Sequence, residues 1–267
     1  MSQPQVSAPL DLDIADGIAW VRLGRPESMN SLNTELKEGL LAALRTAADD
    51  PTVRCVVLTG SGRAFCVGHD LKEHVQRLDA GDASLRTTVT EHFNPIVTLL
   101  STMDKPVVAA LNGVTAGAGV SMALACDFRI AVDSAGLNTA FAGIALSCDT
   151  GASWWLPRFV GPAKAKELLM FPRTIPAAEA AELGLLTRVV TASEFDAAVR
   201  DFARTLADGP TLAFGAIKRA VTFSAGAPLA EALAHEAELV TLTGQTNDHR
   251  VAVDAFLAKT SPVYTGH

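Results

Sequence analysis

Two glycine-containing segments are the places where the residue types and spacing of this chain could do chemistry. They run over residues 64–72 and 112–119, and each lies between a predicted strand and a predicted helix. Small residues let the backbone approach a ligand closely, and a helix N-terminus leaves N–H groups free to donate hydrogen bonds. Two such groups facing one carbonyl oxygen would form an oxyanion hole. The same glycines would also suit two ordinary helix starts.

Several other kinds of catalytic or cofactor site have no support in the sequence. Gly117 and Gly119 fit the first two positions of a dinucleotide-binding fingerprint, but Met122 occupies the third. There is no P-loop and no Gly-x-Ser-x-Gly nucleophile elbow. The four cysteines form no CxxC pair, and the six histidines lack zinc-ligand spacing. We therefore expect no metal site and scattered thiols in a reducing compartment.

The composition describes a folded, acidic protein. Of the 267 residues, 49% are hydrophobic and 19% are charged, which allows a sizeable core and argues against disorder. The net charge is 22 − 29 = −7 and no long basic run occurs, so nucleic acid and anionic membrane surfaces are poor partners. Residues 1–9 have no basic start and no apolar core, so we expect no signal peptide and a cytoplasmic protein.

One uncharged stretch of 21 residues, 106–126, approaches the length of a transmembrane helix. It is rich in Ala, Gly and Val, and it is interrupted at Asn112-Gly113. A buried strand, a turn and a helix fit this pattern better than a membrane span.

Hydrophobic periodicity predicts an α/β core followed by a helical region. A hairpin is expected over residues 10–23 with its turn at Asp16-Gly17, and Asn33 is the expected N-cap of a helix over residues 36–47. Further strands are expected over residues 53–59, 106–111 and 128–132, and further helices over 70–78, 87–103 and 117–125. From residue 152 the pattern is mainly helical, over 152–159, 162–170, 177–183, 194–207, 211–223, 228–244 and 248–258. We expect a core over residues 1–195 and a helical C-terminal extension over residues 196–267.

The chain resembles the crotonase superfamily, that is, the enoyl-CoA hydratases and isomerases. The resemblance rests on motifs in family order over nearly the whole chain: residues 25–32, 56–72, 105–127, 183–185 and 256–259. Each motif alone is weak, but the ordered set is specific. Residues 94–95, 143–146 and 154–158 are most similar to the ring-epoxide isomerases of the phenylacetate pathway.

The resemblance implies an α/β fold built as a spiral of ββα repeats, assembled as a homotrimer or hexamer. It also implies chemistry that stabilises the thioester enolate of an acyl-CoA, with coenzyme A entering as part of the substrate and no further cofactor. The oxyanion donors fall on the backbone N–H groups of His69 and Ala118. The positions implied to contact the substrate are Ser28, Met29, Val67, Gly68, His69, Asp70, Leu71, Lys72, Gly117, Ala118, Ser121 and Phe141.

The acid/base residues distinguish this chain within the family. The two glutamates that activate water in the family's hydratases fall at Ser121 and Phe141, and neither side chain ionises. Asp149 falls where several isomerases and a dehalogenase of the family place a catalytic aspartate. One carboxylate near an apolar pocket can take a proton from one carbon and return it to another. The resemblance thus implies an acyl-CoA isomerase with Asp149 as general acid/base; from the residues alone Asp149 would be a turn residue or a helix N-cap.

Three other functions stay open. A hydratase would need water activation by Asp149 alone or by another residue. A dehalogenase-like displacement would use Asp149 as nucleophile, but the partner His and Trp of that pattern fall at Asn94 and Phe141. A catalytically lapsed acyl-CoA-binding protein would explain the loss of both glutamates but not the presence of Asp149.

Individual side chains carry expectations of their own. His69 either shapes the pocket or takes part in acid/base chemistry, and Ser121 either binds a water or bonds back to the helix backbone. Cys66 and Cys148 are expected to be inert thiols. The C-terminal helices carry an apolar stripe that either closes the chain's own core or is covered in an oligomer: Leu229, Leu233, Ala237, Val240 and Phe256.

Overall fold

The computed structural model describes residues 9–82 and 87–267. The expectation for the N-terminal residues falls mainly on residues 1–8, which lie outside the described residues. The strands are β1 (Leu10–Ala15), β2 (Ile18–Leu23), β3 (Cys55–Gly60), β4 (Ala64–Cys66), β5 (Val107–Leu111), β6 (Val114–Ala116), β7 (Phe128–Val132), β8 (Gly136–Asn138), β9 (Ile175–Pro176) and β10 (Arg188–Val190).

The helices that accompany these strands fall into two groups. Six follow or connect strands: α1 (Thr34–Asp49), α2 (Leu71–Asp79), α3 (Asn94–Thr102), α4 (Ala118–Ala125), α5 (Ala152–Met170) and α6 (Ala177–Glu182). Four follow the last strand: α7 (Phe195–Ala207), α8 (Thr211–Ser224), α9 (Leu229–Gly244) and α10 (Asn247–Ala258).

The strands form two sheets. The larger sheet has the order β1-β2-β3-β5-β7-β10 and is parallel except for the β1–β2 hairpin. The smaller sheet has the order β4-β6-β8-β9, and β4, β6 and β8 run parallel in it. In each of the pairs β3–β4, β5–β6 and β7–β8, the first strand joins the larger sheet and the second joins the smaller one. A helix follows each pair, so the expected α/β fold of ββα repeats is confirmed.

The core lies where the larger sheet packs against its helices. Strands β3 and β5 are buried along their whole length, as expected for parallel strands covered on both faces. Helix α1 buries Leu36, Leu40 and Leu44 at helical spacing. Its predicted N-cap is confirmed, since Asn33 Oδ1 accepts a hydrogen bond from the Leu36 N–H over 3.0 Å.

The uncharged stretch over residues 106–126 folds into the predicted strand and helix, but a short strand, β6, lies where only a turn was expected. It contains β5, β6 and α4, and every residue of α4 is buried. Among the helices that the structure describes, none is long and apolar enough to cross a membrane.

The expected helix boundary near residue 160 appears as a kink inside one assigned helix. Gly161 in α5 has φ 75° and ψ 161°, which are not helical values, and Pro162 follows it. The expected helix over 87–103 begins instead with a π-helical turn, Val89–Phe93, and α3 starts at Asn94 with Pro95 in its first turn. Pro95 is preceded by helical backbone, and the wider π-helical turn, in which the Asn94 N–H donates to the Val89 carbonyl, accommodates the residue that lacks an N–H.

The helices after β10 differ in how much of their surface the chain buries. Helix α7 packs Phe195, Val199 and Ala203 into the core. Helices α9 and α10 bury little, and the predicted apolar stripe stays exposed: Leu229, Leu233, Ala237, Val240 and Phe256. The alternative in which this stripe closes the chain's own core is therefore wrong. The proposed boundary at residue 195 remains a prediction.

Candidate active site

Three parallel strands of the smaller sheet end beside one another, and each leads into a part of the same cavity. Strand β4 leads into residues 67–70, β6 leads into Gly117 and Ala118, and β8 leads into residues 139–149. Because the carboxyl ends of parallel strands meet at one edge of a sheet, the topology alone brings these three segments together.

Glycines allow the first two segments to approach closely. Gly68 has φ 84°, and a Cβ added there would lie 3.0 Å from the Ala118 nitrogen. Gly117 has φ 52°, a region that L side chains rarely adopt. A Cβ at Gly119 would overlap the carbonyl oxygen of Cys66, so α4 packs directly onto the end of β4. These contacts set Ala118 against the loop that carries His69.

The two predicted oxyanion donors have no acceptor among the described residues. The parallel bridge between Leu32 and His69 uses the Gly68 carbonyl and the Asp70 N–H, and the His69 N–H takes no part in it. Ala118 is the first residue of α4, so its N–H has no intrahelical acceptor. Both groups thus keep a free hydrogen-bond donor beside the cavity.

The cavity has a volume of about 470 Å³. Ten of the residues predicted to contact the substrate line this cavity: Ser28, Met29, Val67, His69, Asp70, Leu71, Lys72, Gly117, Ala118 and Phe141. Asp149 lines it as well. Gly68 lies behind this surface, and Ser121 does not line it. Six lining residues were not predicted: Glu27, Ser31, Phe93, Ala140, Ile144 and Leu146.

Asp149 is half-buried at the cavity wall, and its carboxylate has one hydrogen-bond partner among the residues described. The Thr150 hydroxyl donates to its Oδ1 over 2.7 Å. Burial raises the pKa of Asp149 above its ordinary value, although this hydrogen bond acts in the opposite direction. Asp149 does not cap a helix, because Gly151 is the N-cap of α5. A partly desolvated carboxyl group at a cavity wall has the properties of a general acid/base.

Ser121 and Phe141, where the resemblance places the two hydratase glutamates, provide no acid/base group that reaches the cavity. Phe141 is 8% exposed and contributes an aromatic wall. Ser121 is fully buried in α4, and its hydroxyl has no hydrogen-bond partner within the described part of the chain. The expected bond back to the helix is therefore absent. The Gly117 carbonyl, four residues earlier, already accepts from the N–H groups of Val120 and Ser121.

The carboxylate of Asp70 is largely occupied by hydrogen bonds within the protein. Its Oδ2 accepts from the Arg25 guanidinium over 2.8 Å and from the Ser31 hydroxyl over 3.0 Å. Its Oδ1 caps α2 by accepting from the N–H groups of Lys72 and Glu73. Burial raises the pKa of Asp70, but these hydrogen bonds outweigh it and hold that pKa below its ordinary value. Asp70 thus fixes the cavity rim.

The turn that carries Ser28 and Met29 is held by a buried asparagine. Asn30 donates from Nδ2 to the carbonyl oxygens of Ser61 and Ala64, and its Oδ1 accepts from the Arg25 N–H. Met29 and Asn30 both have positive φ values, 51° and 56°. The loop at the cavity mouth is therefore anchored to the start of β4.

A buried basic group behind the cavity was not predicted. Lys37 of α1 is 1% exposed, and its Nζ donates to the Thr88 hydroxyl over 2.7 Å. It also lies 5.4 Å from the centroid of the Phe93 ring. Burial lowers the pKa of Lys37. Lysine on an amphipathic helix is normally a solvent-facing residue, so the sequence offers no local signal for this position.

The Cys66 thiol near the site is a poor nucleophile, and the inertness expected of Cys148 remains a prediction. Burial raises the pKa of the Cys66 thiol to about 12, which leaves it protonated at neutral pH. Cys148 is half-buried. No group of three or more His, Cys, Asp or Glu side chains is placed to hold a metal ion within residues 9–82 and 87–267.

Comparison with protein families gives one match over most of the chain. Residues 13–267 match the family described as enoyl-CoA hydratase/isomerase. Among curated proteins, the chain is 42% identical over 254 residues to one named a probable enoyl-CoA hydratase from Rhodobacter capsulatus, covering 95% of this chain and 96% of that protein. It is 38% identical over 253 residues to the 1,2-epoxyphenylacetyl-CoA isomerase of Escherichia coli, covering 95% and 97%.

Solved structures give the same picture of the fold. The structure superimposes on an enoyl-CoA hydratase from Bacillus anthracis with a TM-score of 0.91 and 32% sequence identity. The match covers 97% of this chain and 100% of the other.

Proposed function

The chain belongs to the enoyl-CoA hydratase/isomerase family, and from that premise we propose that it is an acyl-CoA isomerase with Asp149 as its general acid/base. The observation that carries this proposal is a half-buried carboxylate, Asp149, at the cavity wall without an ion pair among the described residues, whereas the lining carboxylates Asp70 and Glu27 are respectively paired with Arg25 and exposed. The resemblance adds that Ser121 and Phe141 stand where the hydratases of the family place their glutamates. The 1,2-epoxyphenylacetyl-CoA isomerase relative supports the same assignment.

The proposed reaction moves one proton and needs no other reactant. The thioester oxygen accepts hydrogen bonds from the N–H groups of His69 and Ala118. Asp149 removes a proton from one carbon, and the negative charge that develops passes to the thioester oxygen. The protonated Asp149 then returns the proton to a second carbon, which shifts the double bond. Coenzyme A takes part only as a portion of the substrate, and no separate cofactor is proposed.

The raised pKa of Asp149 fits this two-step role. A carboxylate that is harder to ionise is a stronger base, and its acid form is available to return the proton. The surrounding wall is apolar, with Phe141, Ile144 and Leu146 beside it. Such a wall keeps water away from the reacting carbons and disfavours addition of water to the enoyl double bond.

Hydration is the second candidate, because one relative at 42% identity is named a probable enoyl-CoA hydratase. It would require Asp149 alone to position and activate the water. Loss of an acid/base group removes about 10²–10⁴ in rate, so crotonyl-CoA hydration should be weak or absent. A two-glutamate hydratase assayed in parallel is the reference, and a comparable rate would overturn the isomerase assignment.

The deciding experiment is a panel of enoyl-CoA, arylacetyl-CoA and epoxide-CoA thioesters, analysed by chromatography with mass spectrometry. The best substrate is then tested with Asp149→Asn, which keeps the size of the side chain but cannot exchange a proton at neutral pH. We expect kcat to fall by at least about 10² while the Kd for the acyl-CoA stays similar. Unchanged kcat would remove Asp149 from the mechanism. Binding with no turnover of any thioester would favour the catalytically lapsed alternative.

We further propose that the protein is a cytoplasmic, trimer-based homo-oligomer. The support is the apolar stripe of α9 and α10, which remains exposed in the single chain, with Leu229 at 75% and Phe256 at 82%. Apolar faces of this width are normally covered in the assembled protein.

A further inference from the structure

The side chain of His69 has no role in the proposed proton transfer, yet it occupies a prominent position. Its ring lines the cavity, and its backbone N–H is one of the two proposed donors to the thioester oxygen. The ring is therefore held close to the carbons next to that thioester. Any group on those carbons that can form a hydrogen bond comes within reach of the imidazole.

Neither nitrogen of the His69 ring has a hydrogen-bond partner among the described residues. Nε2 is fully buried, so a ligand cannot reach it in this ring orientation, whereas Nδ1 is not among the fully buried atoms and is the nitrogen that a ligand in the cavity can reach. An accessible ring nitrogen without a protein partner gains a hydrogen bond when the ligand supplies one.

The ring is fixed in position by its neighbours rather than by hydrogen bonds. His74 of α2 meets it edge-on with 5.2 Å between ring centroids, and Phe93 packs against it at 5.8 Å. Because the ring is held on two sides, it loses little conformational freedom when a ligand binds. The entropic cost of forming a hydrogen bond to the ligand is therefore small.

The charges around His69 keep its ring neutral. Burial, Lys37 of α1 and His74 of α2 together lower the pKa of His69 to about 4, against the smaller opposite effects of Glu73 and Asp70. The π-helical turn contributes Phe93 on this side, and its His92 faces Glu38 and Thr88 instead. A neutral imidazole offers one donor and one acceptor, which suits an uncharged polar group.

Apolar side chains form a large part of the cavity wall, with Val67, Phe93, Phe141 and Leu146 among its lining residues beside the charged Asp70 and Asp149. A purely hydrocarbon acyl group would fill this space but leave the imidazole unpaired. Sites built to hydrogen-bond a substrate group reject the analogue that lacks it, because the buried polar atom is then left without a partner.

We propose that the His69 imidazole is a specificity-determining group that hydrogen-bonds an oxygen substituent on the acyl portion of the substrate. The substituent is a hydroxyl, ether or epoxide oxygen near the reacting carbons. This inference rests on the proposed function, since it assumes that an acyl-CoA occupies the cavity.

The test uses pairs of unreactive thioesters that differ only by the oxygen. Phenylacetyl-CoA is compared with 2-hydroxyphenylacetyl-CoA, and butyryl-CoA with both enantiomers of 3-hydroxybutyryl-CoA, by calorimetric Kd at pH 7. We expect at least one oxygenated member to bind about five- to tenfold more tightly than its partner, the range of one net hydrogen bond. Equal or weaker binding of every oxygenated member would overturn the proposal.

Two variants separate hydrogen bonding from packing. His69→Phe keeps an aromatic ring against His74 and Phe93 but removes both nitrogens, while His69→Gln keeps a donor and an acceptor. Both variants retain the backbone N–H. We expect His69→Phe to abolish the preference while binding of the unsubstituted thioester changes little, and His69→Gln to restore part of it.

The controls distinguish failure of this inference from failure of the proposed function. Asp149→Asn should keep the preference for the oxygenated thioester, because it changes a different wall. A preference that survives in His69→Phe would assign the selectivity to another residue and overturn the proposal. Absence of binding by every thioester, including the unsubstituted ones, would instead overturn the acyl-CoA function itself.

Discussion

Thr150 donates a hydrogen bond from its hydroxyl to Oδ1 of Asp149 over 2.7 Å, and it does so from a left-handed backbone conformation with φ 54°. A β-branched residue rarely adopts this conformation, and such strain costs on the order of 1–3 kcal/mol. Thr150 is 1% exposed, so the surrounding structure holds it there. The strained turn sets the orientation of the only carboxylate in the proposed mechanism.

This relationship predicts a shift in the pH dependence of activity. Thr150→Ala removes a hydrogen bond that lowers the pKa of Asp149, so that pKa should rise further. Because Asp149 must be ionised to take a proton, the acidic limb of the kcat/KM profile should move to higher pH. Thr150→Ser retains the hydroxyl and is the matched control. The acidic limb of its kcat/KM profile should lie at nearly the same pH as that of the wild type. Coincident profiles for both variants would show that the hydroxyl does not tune Asp149.

The close approach of Gly68 to Ala118 predicts a loss of anion stabilisation on substitution. Gly68→Ala would place a Cβ 3.0 Å from the Ala118 nitrogen and would strain a residue with φ 84°. Removal of one oxyanion donor costs about 10²–10³ in kcat, and we expect a loss in that range.

The matched control for Gly68→Ala is Gly184→Ala. Gly184 has a similar φ of 75°, has open space where its Cβ would lie and does not line the cavity. It should lose about 1 kcal/mol of stability and little activity. Equal kcat losses in the two variants would attribute the effect to general destabilisation rather than to the site.

The depressed pKa of His69 predicts a pH-dependent contribution to stability. Between about pH 6.5 and about pH 4 the unfolded chain binds a proton on His69 that the folded chain does not, so stability falls as the pH falls through this window. His69→Phe lacks this contribution. Urea denaturation at pH 7 and pH 4.5 should show a smaller loss for the variant than for the wild type, and equal losses would contradict the assignment.

The exposed stripe predicts that assembly depends on α10. Phe256→Asp places a charge on a side chain that is 82% exposed in the single chain, so the fold should persist while association weakens. Light scattering should give a lower mass than the wild type. Val75→Asp, at another exposed apolar residue, is the control and should leave the mass unchanged. A wild-type mass near 27.9 kDa would exclude the oligomer.

The sequence predicts the longer strands of the larger sheet well, but it predicts neither its three-residue strand β10 nor the smaller sheet, for a physical reason. Strands β3, β5 and β7 contain five or six residues each in buried runs, long enough to be recognised. Strands β4, β6 and β8 contain three residues each, which cannot display a period. Only the resemblance to a family of ββα repeats indicated that second strands exist.

The candidate site, like the fold, was predicted only in part. Motifs mark the segments that contain His69 and Ala118, because glycines at strand ends are visible in the sequence. Lys37 was missed because its partner Thr88 is 51 residues away and the surrounding pattern is that of an ordinary amphipathic helix. The missing hydrogen bond of Ser121 was equally invisible, since it depends on which N–H groups already occupy the Gly117 carbonyl.

Both proposed donors to the thioester oxygen belong to the backbone, and this has a consequence for how such a protein can diversify. Peptide N–H groups persist through any substitution except proline, so the side chain at position 69 can change while both donors to the thioester oxygen are kept. Only the glycines that bring the two loops together are constrained. Substitutions in the segment after β8, which carries Asp149, can therefore change the reaction that is catalysed. Substitutions of residue 69 can change substrate selectivity, and neither kind of change removes the two backbone donors.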